Sequence, residues 1–162
     1  MSQRKVIVIL EDIRSALNVG AMFRTADGAG VTELVLAGIT PYPPHNRIPK
    51  TALGAVEHVS WKHYRDKREA LDYVTQDQGL PLIAVETGDN AIYHTEYEYP
   101  EEVALIFGNE IGGVSDEALH RAQARVMIPM LGFKESLNVA TSFGIIVYEI
   151  ARQHAAYHSG KA

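Results

Sequence analysis

Six short runs rich in aliphatic and β-branched residues recur along this chain, and they constrain the fold more than any other feature. They are residues 6–10 (VIVIL), 33–37 (ELVLA), a weaker 58–61 (HVSW), 82–86 (LIAVE), 103–107 (VALIF) and 126–130 (VMIPM). Several are apolar throughout instead of alternating, which is the pattern of strands covered on both faces. Segments of helical character fall between them, at residues 19–29, 65–78, 116–124 and from 137 to about 157. Ser115 followed by Asp116 and Glu117 reads as an N-cap with acids in the first turn, where they complement the helix dipole. This alternation predicts an α/β fold with a mostly parallel sheet flanked by helices. Such sheets bind ligands at the carboxyl ends of their strands. The length of 162 residues suits one domain, 1–162, large enough to bury a core.

Several function classes lose their support. The chain has no cysteine, which removes disulfide scaffolds, Cys-type zinc sites, iron–sulfur clusters and thiol nucleophiles. The first apolar run is interrupted at once by Glu11 and Asp12, too short for a signal peptide or a membrane span, so a cytoplasmic protein without a membrane partner is expected. No GxGxxG follows the first strand, and neither GxxxxGK[ST] nor GxSxG occurs. The seven histidines form no HExxH. His154 and His158 are four apart on the last helix but lack a third ligand, so they read as a solvated face and no metal site is expected.

Two irregular stretches stand out. Residues 38–49 (GITPYPPHNRIP) contain four prolines and read as a long surface loop, and residues 88–100 (GDNAIYHTEYEYP) are rich in tyrosine and acid. The net charge of −5 argues against a nucleic-acid partner, but it is unevenly spread. Residues 1–68 carry ten Lys and Arg against six Asp and Glu, a balance of +4, and residues 69–162 carry five against fourteen, a balance of −9. The first part is therefore basic, although sequence halves need not be faces in space.

Three segments look chemical. In NxGxxxRTA, Asn18, Gly20, Arg24, Thr25 and Ala26 follow the first strand and its acidic loop. Gly20 permits close approach of another group, and Arg24, about one turn on, presents a guanidinium suited to phosphate or carboxylate, or is simply an exposed helix arginine. In FGNEIGGVS, residues 107–115, three glycines interleaved with Asn109 and Glu110 make a tight loop ending at a helix N-terminus. Repeated absence of side chains there is read as close backbone approach to a ligand. In IPMLGFKESLNVATS, residues 128–142, Ser136 reads most simply as an N-cap, whereas Asn138 just inside a helix is a poor helix former and calls for another reason.

Together these segments resemble the three sequence motifs of the SPOUT RNA methyltransferases, in the SpoU (TrmH-like) branch. The resemblance runs from about Leu10 to Glu149 in the order and spacing of the family. It implies an α/β fold closed by a C-terminal deep trefoil knot, which nothing in composition or periodicity indicates and which general topology rules oppose. It further implies a homodimer that transfers a methyl group from S-adenosylmethionine to a ribose 2′-hydroxyl in tRNA or rRNA. Carried to matching positions, the cofactor would be held around Gly108, Ile128, Met130 and Leu137, with Thr87 as a further contact. The catalytic group would be Arg24, positioned with Asn18, Ser136 and Asn138, while Glu110 would stabilise the loop or the subunit interface. RNA would meet Arg14, Arg47, Lys50 and Lys134. No separate N-terminal RNA-binding domain of the kind some relatives carry is expected, which favours a compact tRNA substrate over rRNA.

Two other readings compete. A catalytically silent RNA-binding or assembly factor on the same fold would have no need of Asn18, Arg24, Glu110, Ser136 and Asn138 together. A flavodoxin-like small-molecule binder would not require NxGxxxRTA.

Overall fold

The computed structural model describes residues 4–156. Along β1 (Lys5–Glu11), Val6, Val8 and Leu10 enter one apolar cluster, and Ile7 and Ile9 enter another. β2 (Glu33–Ala37) divides the same way, with Leu34 and Leu36 on the first side and Val35 and Ala37 on the second. Strands apolar on both sides need cover on both faces, and the helices supply it. α1 (Ala16–Ala29), α2 (Ile48–Ala52) and α5 (Val139–Gln153) pack on the first face. α3 (Lys67–Asp72) and α4 (Asp116–Arg121) pack on the second. Burial in α1 falls at Val19, Met22, Phe23 and Ala26, the three-and-four spacing of a helix with one apolar face.

The remaining strands are β3 (Ser60–Tyr64), β4 (Leu82–Val85), β5 (Ile92–Tyr93), β6 (Glu102–Phe107) and β7 (Ala124–Met127). All seven form one sheet in the order β3-β2-β1-β6-β4-β7-β5, and every pairing is parallel. The chain leaves β1 toward β2 and β3, then crosses to β4 and the edge strand β5, and only afterwards inserts β6 between β1 and β4 and β7 between β4 and β5. The order therefore reverses between β1 and β6, whose pairing runs from Lys5–Glu102 to Leu10–Phe107. Such a sheet accommodates a ligand at the carboxyl ends of its strands, near a reversal of this kind.

Most expected elements are present, with shifted ends. α1 begins three residues earlier than the apolar pattern suggests, because Ser15 caps it, its Oγ accepting from the Asn18 N–H at 3.1 Å. β3 starts later than residue 58, since a 3₁₀ turn occupies Ala55–Glu57. β7 stops at Met127, ahead of Pro129, which has no N–H for a ladder. The helix expected over 65–78 is the shorter α3 followed by a π turn at Tyr73–Asp77. Ser115 caps α4 as expected, accepting from the Ala118 N–H at 3.3 Å, and that helix ends at Arg121 to leave room for β7. Tyr157 and His158 lie outside the described residues. Among those described, no helix is long and apolar enough to cross a membrane, and no group of three or more His, Cys, Asp or Glu is placed to hold a metal.

The stretch 38–49 differs more. It is not wholly surface loop: Ile48 and Thr40 are buried, and α2 begins at Ile48 with Pro49 in its first turn, where the missing N–H costs nothing. Residues 88–100 likewise contain the edge strand β5 and the buried Tyr99.

α2 sits against α1 because of Gly20. A Cβ at that position would overlap Thr51 Oγ1 and the Ile48 carbonyl oxygen. The close approach read from the sequence is thus to the backbone of a second helix. Gly20→Ala is expected to lower unfolding stability by about 1–3 kcal/mol, the cost of overpacking. Gly132→Ala, with nothing within 4 Å of its added carbon, is expected to change it by less than about 0.5 kcal/mol. Denaturant titration of the two variants checks both.

Candidate active site

Two carboxylates end β1 and organise the edge beyond it. Glu11 is buried at 1% exposure, and both its oxygens are used. The Ser115 N–H donates to Oε1 and the Ser115 hydroxyl to Oε2, each at 2.8 Å. Asp12 follows at φ 54°, in the left-handed region that aspartate tolerates better than most residues. Its Oδ1 accepts from the Ile39 N–H at 3.0 Å, its Oδ2 from Lys67 Nζ at 2.7 Å, and its carbonyl from Asn109 Nδ2 at 2.7 Å. β1 is thereby tied to the ends of β2 and β3 on one side and to the glycine loop after β6 on the other.

That loop, residues 108–114, is fixed from within as well. Asn109 Oδ1 accepts from the N–H groups of Ile111 and Gly112, both at 2.9 Å, and the Gly113 N–H returns to the Asn109 carbonyl at 2.9 Å. Glu86 Oε2 accepts from the Val114 N–H at 2.7 Å. A Cβ on Gly108 would strike Gly113 and Val114, and Gly113 holds φ 74° with Glu86 against it. Two of the three glycines are therefore required by the loop's own folding, which corrects the expectation that a ligand alone explains them.

The entry to α5 also differs from expectation. Its N-cap is Asn138, not Ser136: Asn138 Oδ1 accepts from the N–H groups of Ala140 at 2.9 Å and Thr141 at 3.3 Å. An amide that is a poor helix former inside a helix is well placed one residue earlier. The same side chain reaches Asn18 of α1, Nδ2 to Oδ1 at 3.5 Å. Ser136 lies two residues before the cap, in an exposed segment that includes Leu131 at 96% and Phe133 at 94% exposure.

These pieces enclose a cavity of about 560 Å³ at the carboxyl ends of β4, β6 and β7. Eight expected residues line it: Thr87, Gly108, Glu110, Ile128, Met130, Ser136, Leu137 and Asn138. Apolar walls come from Val85, Phe107, Met127 and Val139, and the lining carries three carboxylates, Glu86, Glu110 and Glu135, with no Lys or Arg. Asn18 reaches it through Asn138. Arg24 does not line it; the side chain is exposed on α1, without a hydrogen bond or ion pair to the described residues. Arg14 and Arg47 share a separate hollow of about 410 Å³ with His45. Glu110 links the two hollows, its Oε1 accepting from the Arg14 N–H at 3.2 Å. Lys50 on α2 and Lys134 in the exposed segment line neither.

The sequence reading missed Glu11, Asp12 and Glu86 as organising groups. The available signal was an acid ending an apolar strand, where a hydrophobic residue would continue it. Burial alone would raise the Asp12 carboxyl, but the hydrogen bonds from Lys67 and Ile39 and the Lys67 charge outweigh it and hold the group below its ordinary range. The hydrogen bond to Asp12 raises Lys67 in turn, against its own burial. A depressed carboxylate contributes stability above its unfolded value and loses it as pH falls through the folded value. Asp12→Asn keeps the left-handed backbone accessible. It is expected to lower stability by less than about 1 kcal/mol at neutral pH, because Lys67 is partly exposed. The difference from the unmodified chain closes as pH drops below 3.8. Urea denaturation at a series of pH values measures this.

Known proteins resemble the chain over almost all of this architecture. The model of the SpoU rRNA Methylase family matches residues 5–148. The tRNA (guanosine(18)-2′-O)-methyltransferase of Escherichia coli is 33% identical over 153 residues, covering 93% of this chain, which spans 65% of that relative. The SpoU methyltransferase AviRb of Streptomyces viridochromogenes, solved in complex with AdoMet, superposes with a TM-score of 0.87 at 22% identity, over 96% of this chain and 63% of that one. A structure described as giving insight into 2-OH methylation of C/U34 on tRNA superposes with a TM-score of 0.82 at 25% identity, over 94% of this chain and 98% of that one.

Proposed function

The chain belongs to the SpoU rRNA methylase family, and from that premise we propose that it transfers a methyl group from S-adenosylmethionine to a ribose 2′-hydroxyl of RNA. The observation that carries this is the cavity at the carboxyl ends of β4, β6 and β7. Its volume of about 560 Å³ falls in the range of small-molecule sites, and its apolar walls suit an adenine face. Its three carboxylates without a countering cation suit a ligand bearing positive charge. When bound, S-adenosylmethionine supplies an electrophilic methyl on a sulfonium.

The chain's own residues then have separate tasks. Thr87, Gly108, Ile128, Met130 and Leu137 would hold the donor. Asn18 and Asn138, already in contact, would orient the target nucleotide with Ser136. Glu110 would fix the glycine loop against Arg14. Among the described residues the Arg24 guanidinium has no other partner, as suits a group for the neighbouring phosphate and for negative charge developing on the ribose oxygen. A guanidinium does not readily give up a proton, which makes this electrostatic role preferable to that of a general base. Holding nucleophile, methyl and sulfur in line supplies much of the acceleration.

The same reading includes one methyltransferase domain working as a homodimer, with the trefoil knot formed by the C-terminal part. Support for the dimer comes from Leu17 and Leu137, exposed apolar residues next in sequence to Asn18 and Asn138, and from Ile145, exposed further along α5. Support for the knot comes from the segment before α5, which passes beside the glycine loop before α5 returns to pack on α1. tRNA is favoured over rRNA, supported by the tRNA methylation relative that this chain covers almost end to end. A cytoplasmic location goes with that substrate.

Calorimetry with S-adenosylmethionine is expected to show binding by the folded protein; its absence would remove the methyltransferase reading. Labelled donor is expected to enter total tRNA at a 2′-O-methylated position, and label confined to protein or small molecules would overturn it. Donor binding with no RNA methylation would favour a catalytically silent RNA-binding factor. Arg24→Lys is expected to lower methyl transfer by about 10²-fold or more with donor binding retained, since lysine lacks the planar fork. Reversing the charge of both Arg47 and Lys50 is expected to weaken tRNA binding and to flatten its dependence on salt.

A further inference from the structure

A third hollow, about 1030 Å³ and open, lies at the carboxyl ends of β1, β2 and β3, on the same edge of the sheet as the cavity. Its lining includes Tyr42, His45, His63 and Arg65. The Tyr42 ring stacks on His63 with centroids 3.8 Å apart and planes 22° apart, and Trp61 adjoins Tyr42 at 6.3 Å. His63 Nε2 is 3.4 Å from the Gly38 carbonyl, which restrains the lower ring of the stack. Tyr42 is nevertheless 45% exposed. An aromatic pair assembled on a strand and a proline-rich loop, yet left open to solvent, needs an account that core packing does not supply.

Charge supplies the second observation. Arg14, Arg47 and Arg65 make no ion pair with the described residues. The acids of this region are already engaged, Asp12 by Lys67 and Asp66 by the Arg68 N–H at 2.8 Å. His45 lines both this hollow and the one holding Arg14 and Arg47, and Glu110 joins the latter to the cavity. The three hollows thus form one track along the carboxyl edge, with free guanidinium groups beside an aromatic stack. That pairing of groups is the chemistry of single-stranded nucleic acid recognition, in which arginines follow the phosphates and rings stack on bases. A base inside a duplex has both faces covered and offers none to a surface ring.

We propose that Tyr42, stacked on His63 beside Trp61, is a platform for an unpaired base of the RNA, in a strand whose phosphates are held by Arg14, Arg47 and Arg65. The platform would fix a nucleotide near the methylated one and so restrain the target ribose in the cavity. This rests on the RNA reading given above, but not on methyl transfer.

Trp61 is the single tryptophan of the chain and reports on the platform directly. An unstructured oligoribonucleotide of mixed sequence is titrated into the full chain, and Trp61 emission and affinity are followed at several salt concentrations, with a blunt RNA duplex alongside. The oligonucleotide is expected to quench Trp61. Tyr42→Ala is expected to weaken its binding by about tenfold or more without changing the salt slope, and Tyr42→Phe to restore it. Arg65→Ala is expected to reduce the slope by about one phosphate contact. Unchanged affinity in Tyr42→Ala, or an equal loss toward the duplex, would overturn the platform. Should Tyr42→Ala fail to fold, Trp61 quenching in the unmodified chain and the Arg65→Ala slope decide. Calorimetry with S-adenosylmethionine on the same preparations separates the two readings. Donor binding with a Tyr42-insensitive RNA affinity removes the platform alone, and Tyr42-dependent RNA binding without donor binding removes methyl transfer alone.

Discussion

The carboxyl edge of the sheet depends on the acids that end β1. A carboxylate as deeply buried as Glu11 is costly unless its oxygens find donors, and here a backbone N–H and a hydroxyl of Ser115 serve both. The Ser115 hydroxyl also accepts from the Ala118 N–H, so one side chain caps α4 and anchors β1. Asp12 then pulls the other way, toward Ile39 and Lys67. The loop after β6 is consequently fixed at its far end by Glu11 and along its length by Asp12 and Glu86, and its backbone geometry follows from those tethers. The cavity and the two arginine-bearing hollows inherit their positions from them.

The sheet was largely readable in the sequence because its central strands are buried on both faces. VIVIL and VALIF are apolar throughout, the pattern of strands in the middle of a parallel sheet, and they are the neighbours β1 and β6. Elements whose existence depends on distant partners left no such mark. α2 has five residues and sits in a proline-rich stretch, and its place is secured by Gly20 in another helix. β5 has two residues and exists by pairing with β7.

The site was readable to the extent that its residues follow strands or begin helices. Gly108, Glu110, Ile128 and Met130 converge for that reason. What could not be read were contacts between side chains far apart in sequence, such as Glu11 with Ser115 or Asn18 with Asn138, since neither produces a periodicity. The same limit explains the exchange of Ser136 for Asn138. Both are good caps, and the choice between them is made by where α1 stands, not by local propensity.

Net charge says little about this edge, because opposite fields lie side by side on it. The cavity is lined by Glu86, Glu110 and Glu135, the adjoining hollows by Arg14, Arg47 and Arg65, and the −5 of the chain averages over both. Under methyl transfer the two fields do different work. On the proposed reaction the carboxylates would hold positive charge most strongly before transfer, while it still resides on the sulfonium, and so would contribute affinity for the donor more than rate. The arginines of the hollows would act on phosphate throughout, whereas Arg24 would act on the ribose oxygen only as negative charge develops there, and that second interaction is the kind that lowers a barrier. On that proposal, acceleration would come from Arg24 and from alignment across the Glu110–Arg14 contact, which is where the acidic cavity meets the arginine-bearing hollows.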